Sequence, residues 1–287
     1  MKYSRLIAGT MTWGIWGKAL QKTEIIDLMG HCIENGITTF DHADIYGGYT
    51  TESDFGKAFK DSGIDRTSIE LISKCGIQYL SDNRNNSVKH YNYSKDYIIW
   101  SAENSLNLLN SDYLDLLLLH RPSPLMQPEE IAEAISNLKS RGLIKSFGVS
   151  NFTASQMALI NKYSTIDVNQ IEFSLTQHSA MHDGILDHMM TNTVTPMAWS
   201  PLGSVFREDT EQNRRIHKQL GALLEKYNAS EDQLLLAWIL KHPSLIHPVI
   251  GTTTKKRITD AANAINIELE LEDWFKILVA CQGHKVP

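Results

Sequence analysis

The chain has 287 residues, of which 42% are hydrophobic and 21% charged, so it is long enough to bury a sizeable core in two small domains or one large barrel. A formal charge of -6 with no basic run argues against a nucleic-acid partner, and no apolar run is long enough to span a membrane. Three widely spaced cysteines and an N-terminus without an apolar leader point to a reducing cytoplasm, with neither a disulfide framework nor a bound metal expected.

Short apolar, β-branched runs alternate with stretches of helical period along the chain. A strand is predicted at 6–9 and a helix near 22–35. Strand 37–41 is followed by a helix near 53–61. Strand 69–74 leads into a long polar loop, 81–93, and then a helix near 95–109. Strand 113–120 precedes a helix near 129–141, and strand 144–150 one near 154–162. Strand 166–170 is followed by a helix near 183–191. Strand 193–199 is followed by helices near 213–227 and 231–241. Strand 245–251 precedes a helix near 255–264, and an amphipathic segment closes the chain. Ser94 or Asp96, Thr153, Ser230 and Thr254 are suited to cap helix starts.

Eight strand-then-helix units with no composition shift predict one domain over residues 1–287, a parallel α/β TIM barrel of the (β/α)8 type. In such a barrel the working residues stand at the C-terminal ends of the strands. There the sequence places Asp41 and Tyr46, then Lys74, His120, Ser150 with Asn151, Asn169 with Gln170, Trp199 with Ser200, and Gly251 to Thr253. A phenol titrates near pH 10 in water, and an adjacent ammonium is expected to lower that value. An aspartate would keep the lysine charged, and a histidine would hold a carbonyl oxygen. Together these four suit proton donation to a developing alkoxide. Each has a bland alternative taken singly: a turn cap, a surface aromatic, a strand-end lysine, a loop histidine. A Schiff-base aldolase on Lys74 is a rival chemistry, but Asp41 and Tyr46 would hold that lysine charged.

Several ordered motifs resemble the aldo-keto reductase family, in particular its bacterial oxidoreductase branch. They are GTMTWG (9–14), GITTFDHADIYG (36–47) with ESDFG (52–56), ISKCG (72–76), LLLLHRP (116–122), LKSRGLIKSFGVSNF (138–152), MAWSPLGS (197–204) and VIGTTTKKRI (249–258). The resemblance implies NADPH-dependent reduction of an aldehyde or ketone by a tetrad of Asp41, Tyr46, Lys74 and His120, with Tyr46 as the acid. It also implies that Ser150, Asn151 and Gln170 hold the nicotinamide carboxamide and that Trp199 stacks on the ring, where relatives more often carry tyrosine. Ser200, Pro201, Leu202, Gly203 and Ser204 would line the pyrophosphate. Gly251, Thr253 and Arg257 would meet the adenosine end, Asp260 and Ala261 the adenine, and Thr10 and Met11 the nicotinamide side. Many relatives have a 2'-phosphate-gripping lysine where this chain has Gly251, so the backbone of Gly251 to Thr253 and the guanidinium of Arg257, helped by Lys255 or Lys256, would do more of that work. Trp13, Trp16 and Tyr49 are expected on the substrate pocket, and His42 and Asp44 in structural roles. The expected partner is a small carbonyl substrate, and the assembly a monomer or weak homo-oligomer. The alternative within the same likeness is a non-catalytic subunit that binds NADPH and reports redox state.

Overall fold

Strand β1 (Ile7–Gly9) pairs in parallel with β2 (Thr39–Asp41), which pairs with β3 (Glu70–Cys75). A computed structural model describes residues 2–287 of the chain. A small ribbon, β4 (Ile77–Gln78) with β5 (His90–Tyr91), follows outside the barrel. The barrel continues through β6 (Leu116–Leu119), β7 (Phe147–Ser150), β8 (Val168–Glu172), β9 (Thr195–Trp199) and β10 (His247–Ile250). β10 pairs back onto β1, so eight parallel strands close the barrel. The ribbon corrects the reading of 81–93 as loop throughout: its tip bridges Ser81 to Arg84, and its return strand begins at His90.

The helices are α1 (Lys22–Glu34), α2 (Thr51–Ser62), α3 (Lys95–Leu109), α4 (Pro128–Ser140), α5 (Ala154–Asn161) and α6 (Ile185–Thr191). They continue with α7 (Glu211–Gly221), α8 (Leu224–Tyr227), α9 (Glu231–Leu240), α10 (Lys255–Asn263) and α11 (Leu271–Gln282). The helix expected over 213–227 is therefore two, parted at Ala222 and Leu223, directly after Gly221, the residue with the least helix propensity in that stretch. Ser94 and Thr153 cap α3 and α5 through their hydroxyls, while Thr254 makes no side-chain cap. No described helix is long and apolar enough to cross a membrane.

Two layers of apolar side chains follow from the two-residue period of the strands. Ile7, Ile72, Leu116, Leu118, Val168, Met197 and Val249 fill the barrel interior, with Tyr3 beside them. Their sequence neighbours, such as Leu71, Leu117, Leu119, Phe147 and Val149, join the larger core that includes residues of the surrounding helices. Gly148 makes room for this packing, since a Cβ there would lie 2.6 Å from Leu118 Cδ2. Asp115, the charge that interrupts the leucine-rich strand, is buried and held by Arg66 at 2.6 Å, by Lys145 at 3.1 Å and by the Leu71 amide at 2.9 Å.

Candidate active site

The same alternation that aims Ile72, Leu118, Thr39 and Val168 aims the residues two further on. Lys74, His120, Asp41 and Gln170 thus form the next layer at the C-terminal end of the barrel. Beyond Asp41 the chain keeps following β3, with the His42 amide on Ile72 O at 2.9 Å and the Asp44 amide on Lys74 O at 3.0 Å. It then turns at Gly47 and Gly48, both at positive φ (60° and 62°), where glycine avoids the penalty a Cβ would carry. That path brings Tyr46 back over Lys74.

Lys74 Nζ donates to Asp41 Oδ2 at 2.7 Å, to the His42 carbonyl at 2.8 Å and to the Tyr46 hydroxyl at 3.0 Å. The Lys74 and Asp41 side chains are only 1% and 3% exposed. Asp41 Oδ1 accepts from Gln170 Nε2 at 2.9 Å, so both carboxylate oxygens are engaged. Burial works against the Lys74 ammonium, but Asp41 and Tyr46 outweigh it and leave its pKa above that of an ordinary lysine. Burial is also the largest influence on Tyr46 and raises its pKa, against the pull of Lys74 and Arg121. The expected depression of the phenol is therefore not realised, because the same dry setting that strengthens the lysine's influence penalises the phenolate more. His120 stands edge-on to Tyr46, ring centroids 6.0 Å apart. Burial, then Lys74, Arg121 and Lys89, hold its imidazole well below the usual histidine range, so it is neutral at pH 7. Its Nδ1 is buried without a partner among the described residues.

A second group stands at the ends of β7, β8 and β9. Ser150 Oγ donates to Gln170 O at 2.9 Å and accepts from Asn151 Nδ2 at 2.7 Å, and Asn151 Oδ1 accepts from Trp199 Nε1 at 2.9 Å. Ser200 and Gly203 are at positive φ, and a Cβ on Gly203 would lie 2.1 Å from Thr176 Oγ1. That threonine also accepts from the Ser204 amide at 3.1 Å, and Asn213 holds Ser204 O at 3.0 Å. Pro201 is buried, while Leu202, Gly203 and Ser204 are half-buried. Around β10, Thr12 Oγ1 donates to Gly251 O at 2.7 Å, Gly251 is exposed and Thr253 half-buried. Lys255 pairs with Asp27 and Lys256 with Asp260, each at 2.6 Å. Arg257 is exposed and makes no ion pair among the described residues.

Several of the residues singled out in the sequence are engaged by the protein itself. Trp13 is 2% exposed and packs on Phe40 and Phe55 at 6.1 Å, on the helix side of β2, because Phe40 has the opposite parity to Asp41. It is core, not pocket wall. Thr10 is fully buried and its hydroxyl bridges Asp41 O and His42 Nδ1 at 3.0 and 2.9 Å, whereas Met11 is 45% exposed. Ala261 is buried at 4% beside the core, and the Asp260 carboxylate is engaged by Lys256. Tyr49 is half-buried under the ribbon, its hydroxyl accepting from the Tyr79 amide at 2.8 Å. Trp16 does stand by the site, 6.3 Å from Tyr46 and 5.2 Å from Tyr79. Tyr79, Arg121, Thr176 and Asn213 join the surroundings without having been singled out. The adjacency of Arg121 to His120 was the one signal for it in the sequence.

A family model described as "Aldo/keto reductase family" matches residues 5–279. The "Uncharacterized oxidoreductase YcsN" of Bacillus subtilis (strain 168) is 42% identical over 293 residues, covering 100% of this chain and 97% of that protein. A "6-dehydroglucose reductase" of Agrobacterium fabrum is 37% identical, covering 89% of this chain and 86% of the relative. Among solved structures, an aldo-keto reductase from Klebsiella pneumoniae in complex with NADPH is 25% identical with a TM-score of 0.79, covering 94% of this chain and 89% of that one. With a closed barrel, a buried lysine–aspartate–tyrosine centre at its C-terminal end and these likenesses over nearly its whole length, the chain belongs to the aldo/keto reductase family of oxidoreductases.

Proposed function

We propose that the protein reduces an aldehyde or ketone to the alcohol with NADPH, with Tyr46 as the proton donor. The observation that carries this reading is the contact of one buried ammonium, Lys74, with both Asp41 and the Tyr46 hydroxyl, at 2.7 and 3.0 Å. The residues of the rim fit the cofactor. Gln170 and Asn151 offer amide groups beside the Tyr46 centre, Ser200 and Gly203 of the 200–204 turn are in left-handed conformations, and Arg257 is exposed with no ion pair among the described residues. Ser150, Asn151 and Gln170 would hold the carboxamide, Trp199 the ring face, Ser200 to Ser204 the pyrophosphate, and Arg257 the 2'-phosphate. When bound, NADPH supplies the hydride for the carbonyl carbon and is oxidised to NADP+.

The chain's own residues complete the step. His120, held neutral, donates a hydrogen bond to the carbonyl oxygen and fixes its direction. As the C=O π bond breaks, the Tyr46 hydroxyl gives its proton to that oxygen, and the phenolate left behind faces the Lys74 ammonium at hydrogen-bond distance. Asp41 keeps the ammonium in place and charged. The Tyr46 phenolate then takes a proton from solvent, which restores the phenol.

The test is NADPH consumption with aldehydes, ketones, dicarbonyls and a 6-oxo sugar, the last because of the relatives named 6-dehydroglucose reductase. Turnover is expected for the wild type and a loss of at least about a hundredfold for Tyr46→Phe, with cofactor affinity retained. Tight cofactor binding without turnover on any substrate would favour the redox-reporting subunit instead. Arg257→Ala is expected to weaken NADPH binding roughly tenfold or more and to leave NADH binding unchanged, read by titration of tryptophan fluorescence. Equal losses for both cofactors would remove Arg257 from the 2'-phosphate.

A further inference from the structure

We propose that Arg121 is the substrate-recognition residue of this site, and that the substrates it selects are small carbonyl compounds carrying an anionic oxygen group, a carboxylate or a phosphate. The inference rests on the reductase reading for the carbonyl, but the anion site stands on its own observations.

Other half-buried cations of this protein are partnered. Arg66 reaches Ser111, two carbonyls and Asp115, and Arg5 reaches three carbonyls. Arg84 lies over the rings of both Tyr49 and Trp100, at 4.5 Å from each. Arg121, also half-buried, makes no ion pair and donates no side-chain hydrogen bond among the described residues. Its guanidinium has one aromatic face, Trp199, with Cζ 5.4 Å from the centroid. A guanidinium carries five donors in a planar fork. Ring faces supply no acceptor to these donors, in Arg121 or in Arg84, but Arg121 is the one of the two that follows His120 directly, where a ligand can supply one.

Its position is fixed from behind. The Tyr93 hydroxyl accepts from the Arg121 amide at 3.1 Å and donates to the Arg121 carbonyl at 2.5 Å. Tyr93 comes that close because residue 76 is glycine: a Cβ there, at φ +109°, would lie 1.9 Å from the Tyr93 ring. The backbone bearing the guanidinium is therefore set before any ligand arrives, which lowers the ordering cost of binding.

The local charge agrees. Lys74, Arg121 and Lys89 all act on His120 as cations. The one carboxylate of the proton-donating centre, Asp41, is engaged by Lys74 and Gln170. No acidic side chain is within ion-pair distance of Arg121 among the described residues, so the end of the site beyond His120 is electropositive in a molecule of net charge -6. Arg121 is the residue next to His120, with Cα atoms about 3.8 Å apart across one peptide. Its guanidinium lies over Trp199 and acts as a cation on both His120 and Tyr46, so a carbonyl oxygen at His120 and an anionic group at Arg121 can belong to one small molecule. The fork matches a carboxylate or phosphate edge in two-point contact.

The probes are matched pairs: succinic semialdehyde against butanal for the carboxylate, and glyceraldehyde 3-phosphate against glyceraldehyde for the phosphate. The wild type is expected to show higher kcat/KM for the anionic member of at least one pair, and which pair shows it identifies the group. Arg121→Gln is expected to raise KM for that member roughly 10- to 100-fold, to leave the neutral member within about twofold and not to alter NADPH affinity. Arg121→Lys should recover part of the loss, because it keeps the charge without the fork. Calorimetry of succinate and of inorganic phosphate binding to the NADP+-loaded protein gives a readout without turnover, with at least a tenfold weakening in Arg121→Gln for the selected anion. Equal losses for both members of each pair, no wild-type preference together with no anion binding, or weakened NADPH binding in Arg121→Gln would each overturn the assignment. Turnover of carbonyls in which neither the anionic nor the neutral member of any pair depends on Arg121 sinks this inference alone. Anion binding through Arg121 without turnover of any carbonyl sinks the reductase reading alone.

Discussion

At the scale of single residues, the site stores its electrostatics in buried ion pairs and unpaired acids. Asp41→Ala would leave the Lys74 ammonium buried without its carboxylate, a loss expected to cost about 3–5 kcal/mol in urea unfolding. Lys74→Met should cost less, because a thioether side chain refills the space. The buried acids behind Tyr46 behave differently. Asp44 receives hydrogen bonds from Ser101 at 3.2 Å and Tyr97 at 3.5 Å, but its Oδ1 has no partner among the described residues. Burial and the nearby Glu52 push its carboxyl up to about 8, and burial pushes Glu52 to about 7 despite Ser73 and Ser105. A carboxyl raised on folding binds more protons in the native than in the unfolded chain. Its ionisation penalty is absent below the unfolded value near pH 4 and complete above the folded one. Stability should therefore fall as pH rises from about 4 to 8. Asp44→Asn keeps the oxygen that accepts from Ser101 and removes the charge. Its stability relative to wild type should improve steadily from pH 5 to pH 8 in thermal melts, and a gap constant with pH would contradict the buried-acid account. The sequence reading left Asp44 as structural, and its burial is consistent with that. It expected the phenol to be depressed and missed the sign, because the sign depends on whether desolvation or the lysine dominates, and burial is not visible in the sequence.

At the scale of elements, what was legible was whatever the two-residue period of a strand encodes. Lys74 and His120 were found because strand ends are visible as the last residues of apolar runs, and inward aim then follows from parity. Trp13 was misplaced for the same reason in reverse, because it lies on a loop where no period says which side of the sheet it reaches. The ribbon was missed because β4 and β5 are two residues each, and SDNRNNS between them reads as pure loop. The ribbon and its flanks place Tyr93 against the Arg121 backbone and Tyr79 beside Trp16. The turn after β9 is the sharpest case for a test. Gly203→Ala places a Cβ 2.1 Å from Thr176 Oγ1 and 2.6 Å from Ser174 Oγ at a positive φ of 55°. The turn must move outward, and cofactor affinity is expected to fall about tenfold or more while the melting temperature changes little. An unchanged dissociation constant for NADPH would show that this turn does not hold the pyrophosphate.

At the scale of the whole molecule, closure is the property that the alternating pattern implied without locating. The seam between β1 and β10 has two paired positions, Ile7 with Val249 and Ala8 with Ile250, against five between β8 and β9. Side chains reinforce it at both ends. Arg5 donates to the carbonyls of Leu240 at 3.1 Å, Leu245 at 3.3 Å and Ile246, and His247 Nδ1 meets Ser4 O at 2.9 Å. At the opposite end Thr12 holds Gly251 O at 2.7 Å, which also joins the first loop to the segment proposed for the adenosine end of the cofactor. These contacts link residues more than 200 positions apart, so no local sequence signal announces them. Removing Arg5 therefore tests whether the barrel stands or falls as one body. Arg5→Ala removes charge-assisted hydrogen bonds to three carbonyls and is expected to lower stability by roughly 2–3 kcal/mol. If the seam is integral to the barrel, the loss appears as a shifted midpoint with an unchanged urea slope, and tryptophan fluorescence and far-ultraviolet circular dichroism give coincident curves. If the terminal strand instead peels away alone, fluorescence near the first loop moves before the helical signal. NADPH would then protect the variant more than the wild type, because a ligand bound to the closed rim draws the seam shut by mass action.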